Sequence, residues 1–176
     1  MLYYSIISSP IGKLCIVKSD IGVQRILFSN NIPFEQYLHN NFSQEKVVCD
    51  DSELKKAANQ IHEYFDLSRK KFSLDIDIQL SSYYSKVLKK VESIPYGKTS
   101  SYKSIAIKTG NANASRAVGN ANANNPLPII IPCHRVIAND GNIGGYGGGL
   151  KTKRFLLELE GTLYLDSNHN NYVGIF

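Results

Sequence analysis

The chain has 176 residues, of which 43% are hydrophobic and 20% are charged, and its formal net charge is +5. This balance supports a buried core and excludes disordered, collagen-like and coiled-coil classes. No apolar run reaches the ~20 residues that a membrane-spanning helix needs. The start, MLYYSIISSP, lacks the features of a signal peptide, and three cysteines are too few for a disulfide framework. We therefore expect a cytoplasmic protein without a membrane partner.

Charge divides the chain into two halves. Residues 1–80 carry 9 basic and 10 acidic side chains, whereas residues 81–176 carry 11 basic and 5 acidic ones. All of the positive excess lies in the second half, which favours an anionic partner such as nucleic acid. A basic surface without such a partner is the alternative. We predict a structural domain over 1–80 and a nucleic-acid-binding domain over 81–176.

The first half predicts an α/β domain with a small antiparallel sheet. Segments rich in Ile, Leu, Val and Tyr predict three strands, over 2–7, 13–18 and 22–28. Residues 19–22 are typical of a turn between the last two strands. Ser52 is a candidate cap for a helix that ends near Phe65. Apolar and polar residues then alternate over 72–80, which predicts a half-buried strand.

The second half predicts mostly helices. Apolar spacing and chain-breaking residues predict four of them, over 82–93, 101–109, 113–124 and 150–160. The second and third are short and joined by a turn at Gly110, an arrangement that resembles a helix-turn-helix. The expected fold class is therefore α+β, with an N-terminal α/β domain and a mostly helical C-terminal domain that contains a helix-turn-helix.

One cysteine of the second half has a reactive setting. A proline-rich loop over 125–128 leads into the apolar residues 129–131, which predict a buried strand that presents Cys133. The adjacent His134 is a candidate base that raises the thiolate fraction. Neighbouring side chains of an extended chain point to opposite faces, so pairing them needs a bent backbone or a bridging water. A buried structural cysteine is the alternative, and it is what we expect of the other two cysteines.

Three further features of the second half carry chemistry. The third helix has small side chains, and Arg116 is its only cation. This helix either lies against a duplex or packs tightly inside the protein. The glycine-rich run 144–149 lacks the lysine-serine ending of a phosphate-binding loop, so Tyr146 within it predicts a pocket wall for a flat ligand. Glu160 lies at the end of the last predicted helix, where a carboxylate is unfavourable against the helix dipole. A partner such as His134 explains this position, and a solvated glutamate is the alternative.

Four motifs together resemble one family. They are IPYGKTSSYKSIA, SRAVGNANANNPLPIIIPCHRVI, GGYGGG and LLELEG. Over about 82–161 they resemble, in order, the O6-alkylguanine-DNA alkyltransferases, which repair alkylated guanine in DNA. Residues 1–80 fit the variable N-terminal domain of that family in size and pattern only. The resemblance implies irreversible single-turnover alkyl transfer to a cysteine after base flipping in double-stranded DNA. It implies no cofactor and a monomer in solution, with O4-alkylthymine as a second candidate substrate.

The resemblance also implies roles for individual residues. The catalytic group comprises Cys133, His134, Glu160 and Asn125. The cysteine accepts the alkyl group, the histidine activates it through a water, the glutamate orients the histidine, and the asparagine braces the site. The DNA-binding group comprises Tyr102, Ser115, Arg116, Ala117, Gly119 and Arg135, in which the arginine of the third helix fills the gap left by the flipped nucleotide. The substrate pocket comprises Tyr102, Val136, Tyr146 and Gly147.

The sequence also bears on a metal site and leaves two alternative functions. Some family members hold zinc in the first domain, but Cys15, Cys49, His39 and His62 lack the close spacing of zinc ligands, so we predict no metal. A lesion-binding sensor without turnover is one alternative function. A cysteine hydrolase or redox protein that uses the same Cys–His pair without DNA is the other. A stable thioether product distinguishes the transferase from both.

Overall fold

In a computed structural model that describes residues 1–29 and 33–162, the chain forms two compact units. The N-terminal unit comprises residues 1–79, and the C-terminal unit begins at Leu80. The first contains a small sheet with helices and the second is mostly helical, so the α+β prediction is confirmed. Every helix within the described ranges is too short or too polar to cross a membrane.

A four-stranded sheet organises the N-terminal unit. Its strands are β1 (Leu2–Ser9), β2 (Gly12–Ser19), β3 (Val23–Phe28) and β4 (Val47–Cys49). They lie in the order β3-β2-β1-β4, with β1 to β3 antiparallel and β4 parallel to β1. The three predicted strands and their turn are confirmed, and the Ser19 amide closes that turn by donating to the Gly22 carbonyl at 2.9 Å. The short β4 was not predicted.

Two helices complete the described part of this unit. They are α1 (Phe34–Phe42), which was not predicted, and α2 (Asp51–Phe65). The predicted cap of α2 is wrong by two residues. Asp50 caps the helix, because its Oδ1 accepts hydrogen bonds from the amides of Ser52 at 2.9 Å and Glu53 at 3.3 Å. The carboxylate also suits the positive end of the helix dipole.

The strand predicted over 72–80 is wrong. This segment pairs with β3 at a single bridge. There the Val23 amide donates to the Asp75 backbone carbonyl at 2.8 Å, and the Asp77 amide donates to the Val23 carbonyl at 3.0 Å. Ile76, at the centre of the alternating pattern, is 36% exposed. Side chains of any extended segment point alternately to opposite sides, so alternating polarity indicates only an extended backbone. A β-strand also needs a neighbouring strand that continues beside it and pairs with it through hydrogen bonds.

Four helices build the C-terminal unit. They are α3 (Ser82–Glu92), α4 (Tyr102–Lys108), α5 (Ser115–Ala123) and α6 (Leu150–Leu159). All four were predicted, and the predicted ranges extend up to two residues beyond the observed ends. A parallel pair, β5 (Ser100–Ser101) and β6 (Val136–Ile137), ties the start of α4 to the segment after Cys133. Gly110, with a φ of 97°, makes the turn that follows α4, so the predicted pair of short helices is present.

The strand predicted over 129–131 is also wrong, although its side chains are buried as expected. Ile129 has a φ of 76°, so the chain turns here instead of extending. The Ile131 amide closes the turn by donating to the Leu127 carbonyl at 2.8 Å. Residues Cys133–Arg135 follow as a single 3-10 turn. The cysteine and its neighbouring histidine therefore lie on a bent backbone, one of the two arrangements that the sequence left open.

Candidate active site

Cys133 lies at a cavity of about 350 Å³, a volume typical of small-ligand pockets. The side chain is 6% exposed. Burial raises the pKa of this thiol, while a hydrogen bond from Asn125 and the charge of Lys153 act in the opposite direction. The thiol therefore keeps its proton near neutral pH unless a base removes it, but polar groups that stabilise the thiolate are already in place.

Asn125 connects the reactive sulfur to the loop before it. Its Nδ2 donates to Sγ of Cys133 at 3.1 Å and to the carbonyl of Ile131 at 2.8 Å. Its Oδ1 accepts from the amide of Leu127 at 3.0 Å. One carboxamide thus fixes the turn over 127–131 and the position of the sulfur together.

A buried group of three charged or titratable side chains includes the two residues that follow Cys133 in the chain. Nε2 of His134 lies 2.7 Å from Oε1 of Glu160, and Arg135 donates to both carboxylate oxygens, at 2.9 and 3.0 Å. Burial would raise the pKa of Glu160, but these hydrogen bonds outweigh it and hold the pKa at about 2. Because an ionised carboxylate only accepts, Nε2 carries the proton and Nδ1 is left as an acceptor.

His134 is therefore suited to act as a base. Burial lowers its pKa by more than Glu160 raises it, so the imidazole is neutral near pH 7. Its side chain is fully buried, and Nδ1 has no hydrogen-bond partner among residues 1–29 and 33–162. A neutral imidazole with a fixed tautomer is the arrangement that general-base catalysis needs.

Lys153 is a buried cation that the sequence analysis missed. Its Nζ donates to the carbonyls of Val136 at 2.6 Å and Gly145 at 3.2 Å, and it lies 6.0 Å from the centre of the Tyr102 ring. Burial lowers its pKa to about 8. The lysine thus holds the glycine-rich loop to β6. Lys153 stands three residues before the buried Leu156, so helical periodicity puts it on the apolar face of α6. This spacing is the sequence feature that indicated its burial.

The cavity walls include most of the predicted pocket residues. The lining residues are Tyr102, Gly119, Asn122, Ala123, Cys133, Gly145, Tyr146 and Gly147. The Tyr102 ring packs against Gly144, which has a φ of 68° and where a Cβ would lie 3.2 Å from the hydroxyl, so this position favours glycine. Val136, whose backbone is predicted to read the guanine edge, has a fully buried side chain, and its carbonyl accepts a hydrogen bond from Lys153. Two tyrosine side chains in the lining, Tyr102 and Tyr146, suit a planar ligand that stacks on aromatic rings.

The predicted DNA-binding residues are divided by the structure. Ser115, Arg116, Ala117 and Gly119 all lie on α5, and the arginine is exposed. Arg135 does not fit the prediction that it contacts DNA. It is 6% exposed, and its guanidinium is committed to Glu160 and to the carbonyl of Ile94 at 2.6 Å. Its place is inside the protein, as the counter-charge of that carboxylate.

No group of three or more His, Cys, Asp or Glu side chains that could hold a metal ion occurs in the described ranges.

Two family sequence models match the chain. Residues 82–162 match "6-O-methylguanine DNA methyltransferase, DNA binding domain", and residues 2–78 match the "ribonuclease-like domain" of the same name. A curated Methanosarcina barkeri protein named methylated-DNA–protein-cysteine methyltransferase is 38% identical over 164 residues, which cover 90% of this chain and 97% of that protein. Both halves of the chain are therefore matched.

Solved structures give the same result. The crystal structure of Mycobacterium tuberculosis O6-methylguanine methyltransferase has a TM-score of 0.80 and 36% identity, covering 91% of this chain and 93% of that one. A structure of Mycobacterium tuberculosis OGT in complex with DNA has a TM-score of 0.80 and 35% identity, covering 90% and 92% of the two chains. The similarity thus extends to a relative that was solved with DNA.

Proposed function

The chain belongs to the 6-O-methylguanine DNA methyltransferase family, and we propose that Cys133 is its acceptor of alkyl groups. The protein repairs DNA by transferring the alkyl group of O6-alkylguanine to one of its own cysteines. The observation that carries the assignment to Cys133 is its position at the cavity, with Asn125 on its sulfur and a neutral His134 beside it. Cys15 and Cys49 do not line this cavity.

The first step brings the base to the thiol. The alkylated oxygen lies inside the DNA stack, so the nucleotide must leave the duplex at a cost of a few kcal/mol. The exposed Arg116 on α5 occupies the gap and offsets part of this cost. The flipped base enters the cavity between Tyr102 and Tyr146. Small residues on the same helix, such as Ala117, let its backbone approach the duplex.

The second step transfers the alkyl group. Nδ1 of His134 takes the proton of Cys133 through a water, and the imidazolium that forms is stabilised by Glu160. The thiolate attacks the alkyl carbon, a C–S bond forms, and the C–O bond breaks with its electron pair on the guanine. Burial raises the pKa of Tyr102, so its hydroxyl is protonated, and it passes its proton to the leaving base. The proton that His134 took from Cys133 then returns through water to the Tyr102 oxygen. The products are neutral guanine and a thioether, with both side chains in their starting forms.

The reaction stops after one event. A thiolate is a poor leaving group from an sp3 carbon, and the proposed mechanism supplies no second nucleophile that would cleave the thioether. Each molecule therefore removes one alkyl group as a monomer. Affinity for undamaged duplex comes from the excess of basic side chains in residues 81–176, 11 against 5 acidic ones, and weakens with salt. We place the reaction in the cytoplasm, because three free cysteines suit a reducing compartment.

A mass measurement tests the acceptor. The protein is mixed with a duplex that contains one O6-methylguanine, and its intact and peptide masses are recorded. We expect a gain of one methylene on the peptide that contains Cys133, and no further gain with excess duplex. A duplex with unmodified guanine is the control. A gain on the peptide of Cys15 or Cys49 would overturn the assignment, and catalytic turnover without a mass gain would favour a hydrolase.

A further inference from the structure

Asn120 stands on the exposed face of α5 and has no role in the chemistry proposed above. Its side chain is exposed, as is that of Arg116, which precedes it by four residues on the same helix. Residues four apart lie on one face of a helix, about 6 Å apart along its axis. The proposed function places Arg116 in the gap left by the flipped nucleotide, so the side chain of Asn120 faces the same duplex.

The next turn of α5 places Asn120 close to the active-site cavity. Ala123 follows it by three residues and lines that cavity, and so does the preceding Gly119. Both residues have little or no side chain, so neither holds the helix away from an approaching strand. Asn120 therefore lies along α5 between the arginine that enters the duplex and a wall of the cavity that receives the base.

The carboxamide of Asn120 has no structural use in the described part of the chain. Its Oδ1 and Nδ2 make no hydrogen bond within residues 1–29 and 33–162, whereas Nδ2 of Asn124 donates to the backbone carbonyl of Asn120 at 2.8 Å. Asparagine is less favourable than alanine inside a helix, because its side chain competes for backbone groups. Folding alone does not account for this residue, and its donor and acceptor are both open to a ligand.

We propose that Asn120 is a specificity-determining residue that reads a base pair beside the lesion from the minor groove. This inference rests on the proposed function. The minor groove of B-DNA is about 6 Å wide, so a helix approaches its floor only where the side chains are small, as they are on α5. Proteins that kink DNA from this groove read it with arginine, lysine, asparagine or glutamine.

The carboxamide distinguishes a G·C pair from an A·T pair. In the minor groove, guanine presents N3 as an acceptor and its 2-amino group as a donor, whereas an A·T pair presents acceptors only. Nδ2 of Asn120 donates to N3, and Oδ1 accepts from the amino group. An A·T pair offers no donor to Oδ1, so one hydrogen bond is lost. A lesion beside a correctly placed G·C pair is therefore repaired faster.

The test removes the amino group of the neighbouring guanine. Deoxyinosine replaces guanine in one pair at a time, within two pairs on either side of a single O6-methylguanine, since 6 Å spans about two base steps. Single-turnover second-order rate constants are measured for the wild type and for Asn120→Ala. At one position the replacement should slow the wild type by about fivefold relative to the variant, the typical value of one hydrogen bond. The weaker pairing of deoxyinosine cancels in this ratio, because both proteins meet the same duplex.

A reverse exchange and a matched variant sharpen the result. In a duplex with an A·T pair at that position, 2,6-diaminopurine in place of adenine adds the amino group, which should speed the wild type and leave Asn120→Ala unchanged. Asn139→Ala removes an exposed asparagine outside α5 and should keep the wild-type response to both exchanges. Asn120→Ala should melt no lower than the wild type, because alanine is favourable inside a helix.

An equilibrium measurement covers the case in which Asn120→Ala transfers too slowly to follow. The affinities of the same duplexes are then compared with and without this substitution in a Cys133→Ala background. The inference is overturned if the wild type does not respond to the amino group at any position, or if Asn120→Ala responds equally. Absence of transfer by the wild type on every methylated duplex would instead overturn the proposed function.

Discussion

The N-terminal and C-terminal units each bury one cysteine and surround it differently. Cys15 is fully buried among apolar side chains that include Leu2, Val17 and Phe34, and burial raises its pKa to about 12. Cys133 is buried too, but Asn125 donates to its sulfur and a neutral histidine lies next to it in the chain. Burial alone thus makes a thiol inert, and reactivity requires polar groups that stabilise the thiolate.

The largest difference is expected between two single variants, in which either Cys133 or Cys15 is replaced by alanine. Cys133→Ala should abolish alkyl transfer and leave DNA affinity nearly unchanged, because the sulfur is buried and α5 stays intact. Cys15→Ala should transfer at the wild-type rate and lose about 1 kcal/mol of unfolding free energy through the small cavity it creates. Transfer to a methylated duplex and urea denaturation measure the two effects. Transfer by Cys133→Ala would contradict the assignment, because Cys15 or Cys49 would then be the acceptor.

The next effect concerns the carboxylate behind the histidine. Glu160→Gln should slow transfer by about 10² to 10⁴-fold, since the histidine loses the charge that fixes its tautomer and stabilises its protonated form. It should also cost about 3 kcal/mol of stability, because Arg135 is left buried without a counter-charge. Glu158→Gln, an exposed neighbour on α6, is the matched control for single-turnover rate and denaturation. Equal rates in both variants would show that the carboxylate has no part in activating the thiol.

The smallest effect is a shift in pH dependence. The Asn125 hydrogen bond lowers the pKa of Cys133, so its removal in Asn125→Ala raises that pKa and reduces the thiolate fraction at a given pH. Transfer should be about tenfold slower at pH 7, and the deficit should shrink only when the pH approaches the raised pKa of the thiol, because well below that pKa the ratio of the two thiolate fractions is constant. Asn124→Ala is the control on an exposed side chain. A deficit that stays constant while the pH passes through the titration of the wild-type thiol would mean that Asn125 acts on the loop alone.

Local patterns predicted the elements of both units unevenly. The hairpin strands β1 to β3 and the helices α2 to α6 carry periods that are visible in the sequence. α1 was missed although Phe34, Leu38 and Phe42 recur at helical spacing. The strand predicted over 72–80 failed because pairing depends on a distant partner edge. The one predicted over 129–131 failed because a short buried run is ambiguous and the positive φ of Ile129 has no signature in its side chain.

The site divides in a similar way. Chain-local features identified Cys133 and His134, because a thiol, a base and prolines stand side by side in the sequence. Glu160 was paired with the histidine on the strength of an unfavourable helix position and the family resemblance. The burial of Arg135 was not foreseen, since an arginine beside a reactive cysteine is as consistent with a phosphate contact as with an internal ion pair. Only the packed structure reveals which charges face inward.

Asn125 also constrains how the sequence can evolve. Its carboxamide serves the reactive sulfur with one hydrogen bond and the turn over 127–131 with two. Selection for a stable fold and selection for repair therefore act on the same residue. A descendant that lost the thiol would still use this asparagine to hold the turn. Its presence in a distant homologue is therefore evidence of shared architecture, and only the cysteine is evidence of shared chemistry.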